Sequence, residues 1–220
     1  VILLGRTRAH LEEVSRQIES VGGRSSVTAC DVTDDESVRR AIAALPRLDI
    51  LVNNAGTNFP EPFTSVCDEH LDTMLDLNVR AYFVVAQAAV KKMLEDPARQ
   101  ASGGVVLNIS SQMGHVGSPN RTVYCMTKHA VEGLTKAMAV ELAARGIRVN
   151  SIGPTFVDTP LARRIADTPA KREFIMSRIP GGGHHGGRRI PRIAGSGHDH
   201  GHPSSGRRWL DRAIAGRSRS

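Results

Sequence analysis

The chain lacks any uninterrupted apolar run of the length that a membrane span needs, about 18 residues or more. No signal-peptide pattern is visible at its start. It has only three cysteines, Cys30, Cys67 and Cys125, and they show neither a paired spacing nor a metal-ligand spacing. Free cysteines of this kind are typical of a reducing compartment. These absences predict a cytoplasmic protein with no membrane segment and no metal centre.

Excess charge of one sign is also missing from most of the chain. The net charge is +7, but residues 181–220 hold 8 Arg, no Lys and 2 acids, so residues 1–180 carry only +1. The same 40 residues hold 10 of the 21 glycines and 5 of the 9 histidines. Low apolar content with high charge predicts disorder. We therefore divide the chain into a domain, 1–180, and a tail, 181–220.

Three interpretations of the tail are open. His198-x-His200-x-His202 could bind a metal ion, and the arginines could bind nucleic acid through its phosphates. Trp209 alone offers an aromatic platform, so base stacking has little support. The third interpretation is translation out of frame. When the possible codons of Gly197–Arg212 are read from the second base, every shifted codon is compatible with one sequence. That sequence is Ala-Met-Ile-Thr-Gly-Thr-His-Leu-Leu-Val-Asp-Gly-Gly-Trp-Thr-Ala. We favour this third interpretation and predict no nucleic-acid partner.

Strand and helix patterns alternate along the first 152 residues. Strands are predicted within 1–7, 26–30, 49–56, 105–109 and 147–152, and helices over 8–21, 34–45, 66–94 and 122–145. Gly146 would end the last helix. Such alternation is typical of a parallel sheet with helices on both faces. Ligands bind beyond the carboxyl ends of the strands in open parallel sheets.

Tyr124 and Lys128 are the most informative pair in the chain. A spacing of four puts both side chains on one face of the predicted helix. A phenol ionises near pH ~10, and a neighbouring ammonium lowers that value, so the pair can transfer a proton near neutral pH. Ser111 follows the apolar run 105–109 and can hydrogen-bond an oxygen held beside the tyrosine. Most Tyr–Lys pairs at this spacing are solvated helix faces, so other motifs must decide between the two interpretations.

Two other strand ends carry residues that suit a ligand. The segment 53–56, Asn-Asn-Ala-Gly, ends in two small residues that let a flat ligand approach the backbone. An ordinary turn is the alternative. Asp31 could bind an adenine amino group or cap the next helix, although Asp34 and Asp35 are better placed for capping.

Taken in order, these motifs resemble those of the short-chain dehydrogenase/reductase family over about residues 1–180. The matching residues are Asp31-Val32, Asn53-Asn54-Ala55-Gly56, Asn78-Val79, Ser110-Ser111, Tyr124-x-x-x-Lys128, and Arg148-Val149-Asn150 leading to Pro154 and Thr159. Each motif is weak alone, but the set is specific. The resemblance implies an α/β fold with a doubly wound, Rossmann-like parallel sheet.

The resemblance also implies roles for single residues. Tyr124 would be the general acid/base, Lys128 would lower its pKa and hold the nicotinamide ribose, and Ser111 would orient the substrate oxygen. Asn78 would anchor a water in the proton relay; without the resemblance it would be a helix-kink or capping residue. The implied cofactor-binding residues are Arg6, Asp31, Val32, Asn53, Ala55, Gly56, Tyr124, Lys128, Val157 and Thr159. Thr155 departs from the family, which usually has glycine there.

The implied reaction is hydride transfer between a nicotinamide cofactor and a secondary alcohol or ketone. An acid after the first strand would bind the 2′-hydroxyl of NAD, but none is present. Arg6 stands there and could pair with a 2′-phosphate, so we predict NADP, with NAD possible. An exposed loop arginine is the alternative interpretation of Arg6.

The substrate would be a sugar acid, a polyol or a 3-oxoacyl compound. Residues 111–124 resemble the matching segments of gluconate and sugar dehydrogenases and of 3-oxoacyl reductases. Gln112 and His115 could hydrogen-bond a polyol, although a lone loop histidine is more often solvated or structural. Residues 57–63 and 161–178 would complete the lining of the substrate pocket.

The two ends of the domain depart from the family pattern. The pattern has a strand, a glycine-rich turn and a helix before residue 1, and no Gly-x-x-x-Gly-x-Gly segment occurs at a plausible position. We expect the sheet to lack its first strand, which would leave its neighbours with unpaired backbone groups. It would also lack its last strand if the tail is out of frame, because the shifted string resembles that strand.

Three functions therefore compete. The favoured one is an oxidoreductase acting on a small molecule, without a nucleic-acid or membrane partner. The second is a noncatalytic remnant that keeps Ser111, Tyr124 and Lys128 but binds cofactor weakly. The third is a nucleic-acid-binding protein that uses the arginine-rich tail. Family members usually form homodimers or homotetramers through their two long helices, here about 66–94 and 122–145.

Overall fold

The computed structural model describes residues 1–95 and 103–155, together with Val157, Thr168 and Glu173. The described strands are β1 (Ile2–Gly5), β2 (Ser26–Ala29), β3 (Ile50–Asn53), β4 (Gly104–Ile109) and β5 (Ile147–Ile152). The described helices are α1 (Arg8–Ser20), α2 (Asp35–Ala43), α3 (Asp68–Leu75), α4 (Ala81–Leu94) and α5 (Thr122–Leu142). None of the helices in this part of the chain has the length and apolar character needed to cross a membrane.

All described strand pairs are parallel, and they form two groups. β1 pairs with β2, and β4 pairs with β3 on one side and β5 on the other. Within the described residues no strand is hydrogen-bonded to both β1 and β3. The predicted α/β fold with parallel strands is confirmed.

Helices pack on both faces of these strands. A Cβ added to Gly5 would lie 3.2 Å from Leu11 of α1, whereas the preceding residue, Leu4, packs against a cluster from α2 and α4. Because successive strand residues face opposite sides, α1 lies on one face and α2 and α4 lie on the other. The predicted doubly wound arrangement is therefore present in the β1–β2 group.

The core joins the two strand groups. One cluster contains Val38 and Ile42 of α2 with Val84 and Ala89 of α4, and both Leu4 of β1 and Leu51 of β3 pack against it. The α2–α4 packing thus links strands that do not touch through hydrogen bonds. On β3, Ile50 and Val52 alternate with Leu51 and face the opposite side, where they are 60% and 53% exposed.

The predicted helical stretch over 66–94 is present from Asp68 to Leu94, but it contains a turn that the sequence did not predict. Helix α3 ends at Leu75, the backbone widens into one π-helical turn over Asp76–Arg80, and α4 begins at Ala81. A π turn inserts an extra residue into the helix and often marks a functional position. Here it turns the fully buried Asn78 side chain inward, toward the loop after β3.

The other helix boundaries agree with the sequence patterns to within a few residues. Asp34 caps α2, since its side chain accepts hydrogen bonds from Glu36 N at 3.0 Å and Ser37 N at 3.1 Å. Asp35, the other predicted cap, lies in the first turn and pairs with Arg80 of the π turn. Helix α5 continues into one 3-10 turn, and Gly146 ends it with φ 71°.

Candidate active site

The predicted site residues lie at the carboxyl ends of the strands. Arg6 follows β1, Asp31 follows β2, Asn53 ends β3 and Ser111 follows β4. Parallel strands bring these ends to the same edge of each group. Helix α5 then adds Tyr124 and Lys128 beside the end of β4, because Lys128 reaches the backbone of Ile109.

Lys128 is a buried lysine held by backbone and aromatic groups. Its residue is 4% exposed, and Nζ donates to the Ile109 carbonyl at 2.9 Å and to Tyr82 Oη at 3.5 Å. Nζ also lies 5.0 Å from the centre of the Tyr82 ring and 5.7 Å from that of Tyr124. Burial lowers the pKa of Lys128 to about 8, although Glu132 opposes the shift.

The pKa of Tyr124 moves in the opposite direction to that expected from the sequence. Burial raises it and outweighs both the hydrogen bond from Ser111 and the positive charge of Arg121. The prediction that Lys128 lowers the pKa of Tyr124 was wrong. The interactions that act against the effect of burial come from Ser111 and Arg121. A phenol that stays protonated at neutral pH is suited to donating a proton.

Ser110 and Ser111 are both buried but differ in their contacts. The Ser111 hydroxyl hydrogen-bonds Tyr124 and accepts from Met113 N at 3.2 Å. The Ser110 hydroxyl has no hydrogen-bond partner in the described part of the chain. The geometry therefore agrees with the choice of Ser111 over Ser110 as the residue beside the phenol.

Asn78 joins the loop after β3 to helix α5. Its Oδ1 accepts from Thr57 N at 2.8 Å, and its Nδ2 donates to the Thr57 carbonyl at 2.9 Å and to Thr127 Oγ1 at 3.2 Å. A Cβ added to Gly56 would lie 3.1 Å from Asn78 Oδ1 and 3.9 Å from Lys128 Nζ. Asn78 thus holds the loop close to Lys128, and only a residue as small as glycine fits between them without displacement.

The residues expected at the adenosine end lie on the β1–β2 group. Arg6 is exposed, and its charge helps to lower the pKa of Asp31, after the larger effect of hydrogen bonds from Thr33. Asp31 Oδ1 accepts from Thr33 N at 3.0 Å and Thr33 Oγ1 at 2.7 Å, so the carboxylate is partly used within its own turn. Val32 is half-buried and packs against the cluster between α2 and α4.

The segment after β3 contains one structural and two accessible positions. Asn53 is 4% exposed, and its Nδ2 donates to the Tyr82 carbonyl at 2.9 Å, so its side chain serves the contact with α4. Ala55 is half-buried and Gly56 is exposed, which leaves their backbone open to a ligand.

The remaining predicted cofactor residues follow β5. Val157 is 55% exposed. Thr159, the segment 161–178 apart from Thr168 and Glu173, and the tail lie outside the described residues.

Three residues around the lysine and the phenol were not predicted from the sequence. Tyr82 is fully buried and donates to Ile109 O at 2.8 Å, so it shares that carbonyl with Lys128. Arg121 carries a buried Nη1 with no hydrogen-bond partner in the described residues, and burial lowers its pKa. Glu132 could have been noticed, because it stands four residues after Lys128 and therefore on the same helix face.

Glu132 forms a buried polar group behind Lys128. It is 5% exposed, its Oε2 accepts from Ser151 Oγ at 2.9 Å, and its Oε1 lies 3.4 Å from His115 Nε2. His115, for which both a polyol contact and a structural role were open, therefore faces this carboxylate. A Cβ added to Gly114 would lie 3.0 Å from Glu132 Cγ, so the 3-10 turn after Ser111 packs directly on it.

The donor set at this edge fits a nicotinamide dinucleotide at both of its ends. Arg6 and Asp31 provide charged groups where an adenosine would lie, and the close approach at Gly56 provides open backbone beside Lys128. The described residues contain no glycine-rich turn to hold the diphosphate. Fold and site together define a nicotinamide-dependent oxidoreductase.

Comparison with known proteins agrees with this class. The family model described as short chain dehydrogenase matches residues 1–170, and the chain belongs to that family. L-xylulose reductase from Bos taurus is 38% identical over 181 residues, covering 82% of this chain and 70% of the relative. The 3-oxoacyl-acyl-carrier-protein reductase of Thermotoga maritima is 33% identical over 178 residues, covering 79% and 70%.

Solved structures give the same picture. A gluconate 5-dehydrogenase from Burkholderia cenocepacia, in complex with NADP and tartrate, superposes with a TM-score of 0.74 at 30% identity, over 82% of this chain and 71% of the other. A structure described as an NAD(P)-dependent gluconate 5-dehydrogenase from Beutenbergia cavernae, with NADP bound at low occupancy, has a TM-score of 0.76 at 32% identity, over 83% of this chain and 72% of the other. The recognised family, the α/β fold and the oxidoreductase class predicted from the sequence are confirmed.

Proposed function

We propose that Tyr124 exchanges a proton with the substrate oxygen and that Ser111, Lys128 and Asn78 assist it. Tyr124 is protonated at neutral pH, so it donates to the oxygen during reduction of a ketone and accepts from the alcohol in the reverse direction. The nicotinamide supplies or accepts the hydride. Ser111 holds the substrate oxygen beside the phenol, since its hydroxyl already contacts Tyr124.

Lys128 and Asn78 assist this proton transfer without contacting the substrate oxygen themselves. A lysine whose pKa lies at about 8 carries a charge at neutral pH and can release a proton with little cost. Asn78 holds the Thr57 backbone through two hydrogen bonds, and the preceding residue, Gly56, lies close to that amine. The wide π turn at Asn78 supports a place for this residue in a relay that begins at Lys128.

The cofactor we propose is NADP. Arg6 is exposed after β1, at the strand end where an acid would favour NAD, and a guanidinium there pairs with a 2′-phosphate. Two of the similar solved structures contain NADP, which agrees with this choice. Arg6→Gln is expected to weaken NADPH binding and to leave NADH binding nearly unchanged.

The substrate class we propose is a hydroxylated carbonyl compound with an acidic group, such as a sugar acid. The observation that carries this choice is Arg121, whose charge acts on Tyr124 and whose buried Nη1 has no partner in the described residues. A substrate carboxylate would satisfy that donor. The gluconate dehydrogenases among the similar structures support the same class. Polyols and 3-oxoacyl compounds remain the alternatives to test.

We further propose that the protein acts in the cytoplasm as a homodimer or homotetramer. Long helices α4 and α5 carry large apolar side chains on their exposed sides: Phe83 is 52%, Met126 48% and Val140 70% exposed. Such side chains suit a helix-to-helix contact between copies. Light scattering on the purified protein measures the oligomeric state directly.

The neighbouring serines provide the experiment that tests the mechanism. Tyr124→Phe and Ser111→Ala are expected to lower kcat by about 10²- to 10⁴-fold with NADPH and a panel of keto-acids, polyols and 3-oxoacyl thioesters. Ser110→Ala is the matched control, because the Ser110 hydroxyl has no partner to lose. Equal effects of the two serine substitutions would refute the assignment. A titration that detects no NADPH binding would favour the noncatalytic alternative.

A further inference from the structure

Three possible metal ligands lie close together apart from the proton-transfer residues, and one of them, Glu61, belongs to the predicted pocket lining 57–63. Glu61 precedes the 3-10 turn at Phe63–Ser65, Cys67 is the residue before α3, and His70 lies in the first turn of that helix. One ligand atom from each side chain lies within 4.8 Å of the others. We propose that these three residues bind a divalent metal ion of the zinc type.

The carboxylate of Glu61 is incompletely satisfied within the protein. Its Oε1 lies 2.8 Å from His70 Nδ1, whereas its Oε2 is buried and has no hydrogen-bond partner in the described residues. A glutamate–histidine pair alone explains the first oxygen but leaves the second without a partner. A metal ion beside both side chains would satisfy the carboxylate, since ionised carboxylates are costly to bury unpaired.

The three donors are held by separate parts of the backbone. The Phe59 ring stacks on the His70 ring at 4.0 Å and 6°, which fixes the imidazole plane. Glu61 N donates to the Asn120 carbonyl at 3.1 Å, and Leu71 N donates to the Cys67 carbonyl at 3.1 Å. Cys67 and His70 are three residues apart at the start of a helix, so they face the same side.

The donor chemistry selects the ion. Thiolate, imidazole and carboxylate are the ligands of zinc, at about 2.3, 2.0 and 2.1 Å, so the donor atoms of one tetrahedral ion lie about 3 to 4 Å apart. Cys67 is exposed, so a change of its side-chain rotamer could close such a site, while the His70–Glu61 pair would separate by a few tenths of an ångström. Three protein ligands leave the fourth position open to water or another small ligand.

The site would connect the loop 57–62 to the segment just before α5. Because Glu61 is bonded to Asn120, a metal ion there would also brace the residue next to Arg121. The spacing of the cysteines did not indicate this site, because two of its three ligands are not cysteines. A bound ion is therefore expected to raise the thermal stability of the protein.

Cobalt provides a test with a readout that reports the thiolate. The full chain is titrated with Co²⁺ under reducing conditions, and a cysteine ligand produces a thiolate-to-cobalt charge-transfer absorption in the near ultraviolet. We expect this absorption to saturate at one equivalent and to disappear when Zn²⁺ displaces the cobalt. Cys67→Ser, His70→Gln and Glu61→Gln should each weaken the binding at least about tenfold.

Two controls separate this site from other parts of the chain. Cys125→Ser removes a buried cysteine elsewhere, and a triple substitution of His198, His200 and His202 to Ala removes the histidine-rich tail motif. Both should keep the thiolate absorption. Its absence in the unaltered chain, or its persistence in Cys67→Ser, overturns the proposal. Melting temperature with and without Zn²⁺ gives a second measurement, and an equal rise in the unaltered chain and Cys67→Ser also overturns it.

Discussion

The buried ammonium of Lys128 makes the stability of the fold depend on pH in a defined direction. Folding lowers the pKa of this residue from 10.5 to about 8. Between those values the unfolded chain binds more protons than the folded one, so stability rises as the pH rises. Below pH 8 the whole cost of burying the charge is present. Removing the charge should therefore help most at neutral pH.

Lys128→Met replaces the amine with an uncharged side chain of similar length. A shift of this size costs about 3 kcal/mol at pH 7 and less than about 1 kcal/mol at pH 10. The stability difference between the unaltered protein and Lys128→Met should move by about 2 to 3 kcal/mol in favour of the unaltered protein across that range. Losses in packing are similar at both pH values, so they cancel in this comparison.

Urea unfolding followed by circular dichroism at pH 7 and pH 10 measures the four free energies. Lys136→Met is the matched control, because Lys136 is exposed on the same helix and should show no comparable change. If Lys128→Met and the unaltered protein respond to pH alike, the amine is hydrated in the folded state. The assigned role of the buried charge would then be wrong.

Three further substitutions test the surroundings of Lys128 and Tyr124. Glu132→Gln should lower the pKa of Lys128 further and move the alkaline limb of the kcat/KM profile to lower pH, whereas the exposed Glu141→Gln should not. Asn78→Ala leaves the Thr57 backbone groups unpaired, so urea unfolding should show a loss of about 1–3 kcal/mol for each group; an unchanged midpoint would contradict this. Arg121→Met should raise KM for sugar acids and spare neutral polyols, and equal changes in both would refute a carboxylate contact.

The sequence could indicate which residues share a face or a strand end, but not their energetic environment. Tyr124, Lys128 and Ser111 were named from a helix spacing of four, a strand end and the resemblance to a family, all of which can be seen in the sequence alone. The raised pKa of Tyr124 could not be found in this way, since it depends on burial by distant segments. Tyr82 was missed for the same reason: it reaches the Ile109 carbonyl from a helix 27 residues away in sequence.

The π turn inside the predicted helical stretch 66–94 illustrates a second limit. Local propensities favour a regular α-helix there, whereas the widened backbone at Asn78 is accompanied by three hydrogen bonds between its side chain and Thr57 and Thr127. Those partners lie in segments that only the folded chain brings close. The same limit applies to Glu61 and His70, whose contact depends on the path of the loop between β3 and α3.

The two groups of strands carry different parts of the site: the proton-transfer residues lie at one group and the residues proposed for the adenosine end lie at the other. Lys128 is held by Ile109 of β4, by Tyr82 of α4 and, through the tight approach at Gly56, by Asn78 of the π turn. Arg6 follows β1, and within the described residues the β1–β2 group is joined to the β3–β5 group through the packing of α2 on α4 and the ion pair at Asp35. The proton-transfer residues therefore keep their mutual contacts without help from the adenosine end. A change in the packing between the groups should alter the affinity for cofactor before it alters the environment of Tyr124.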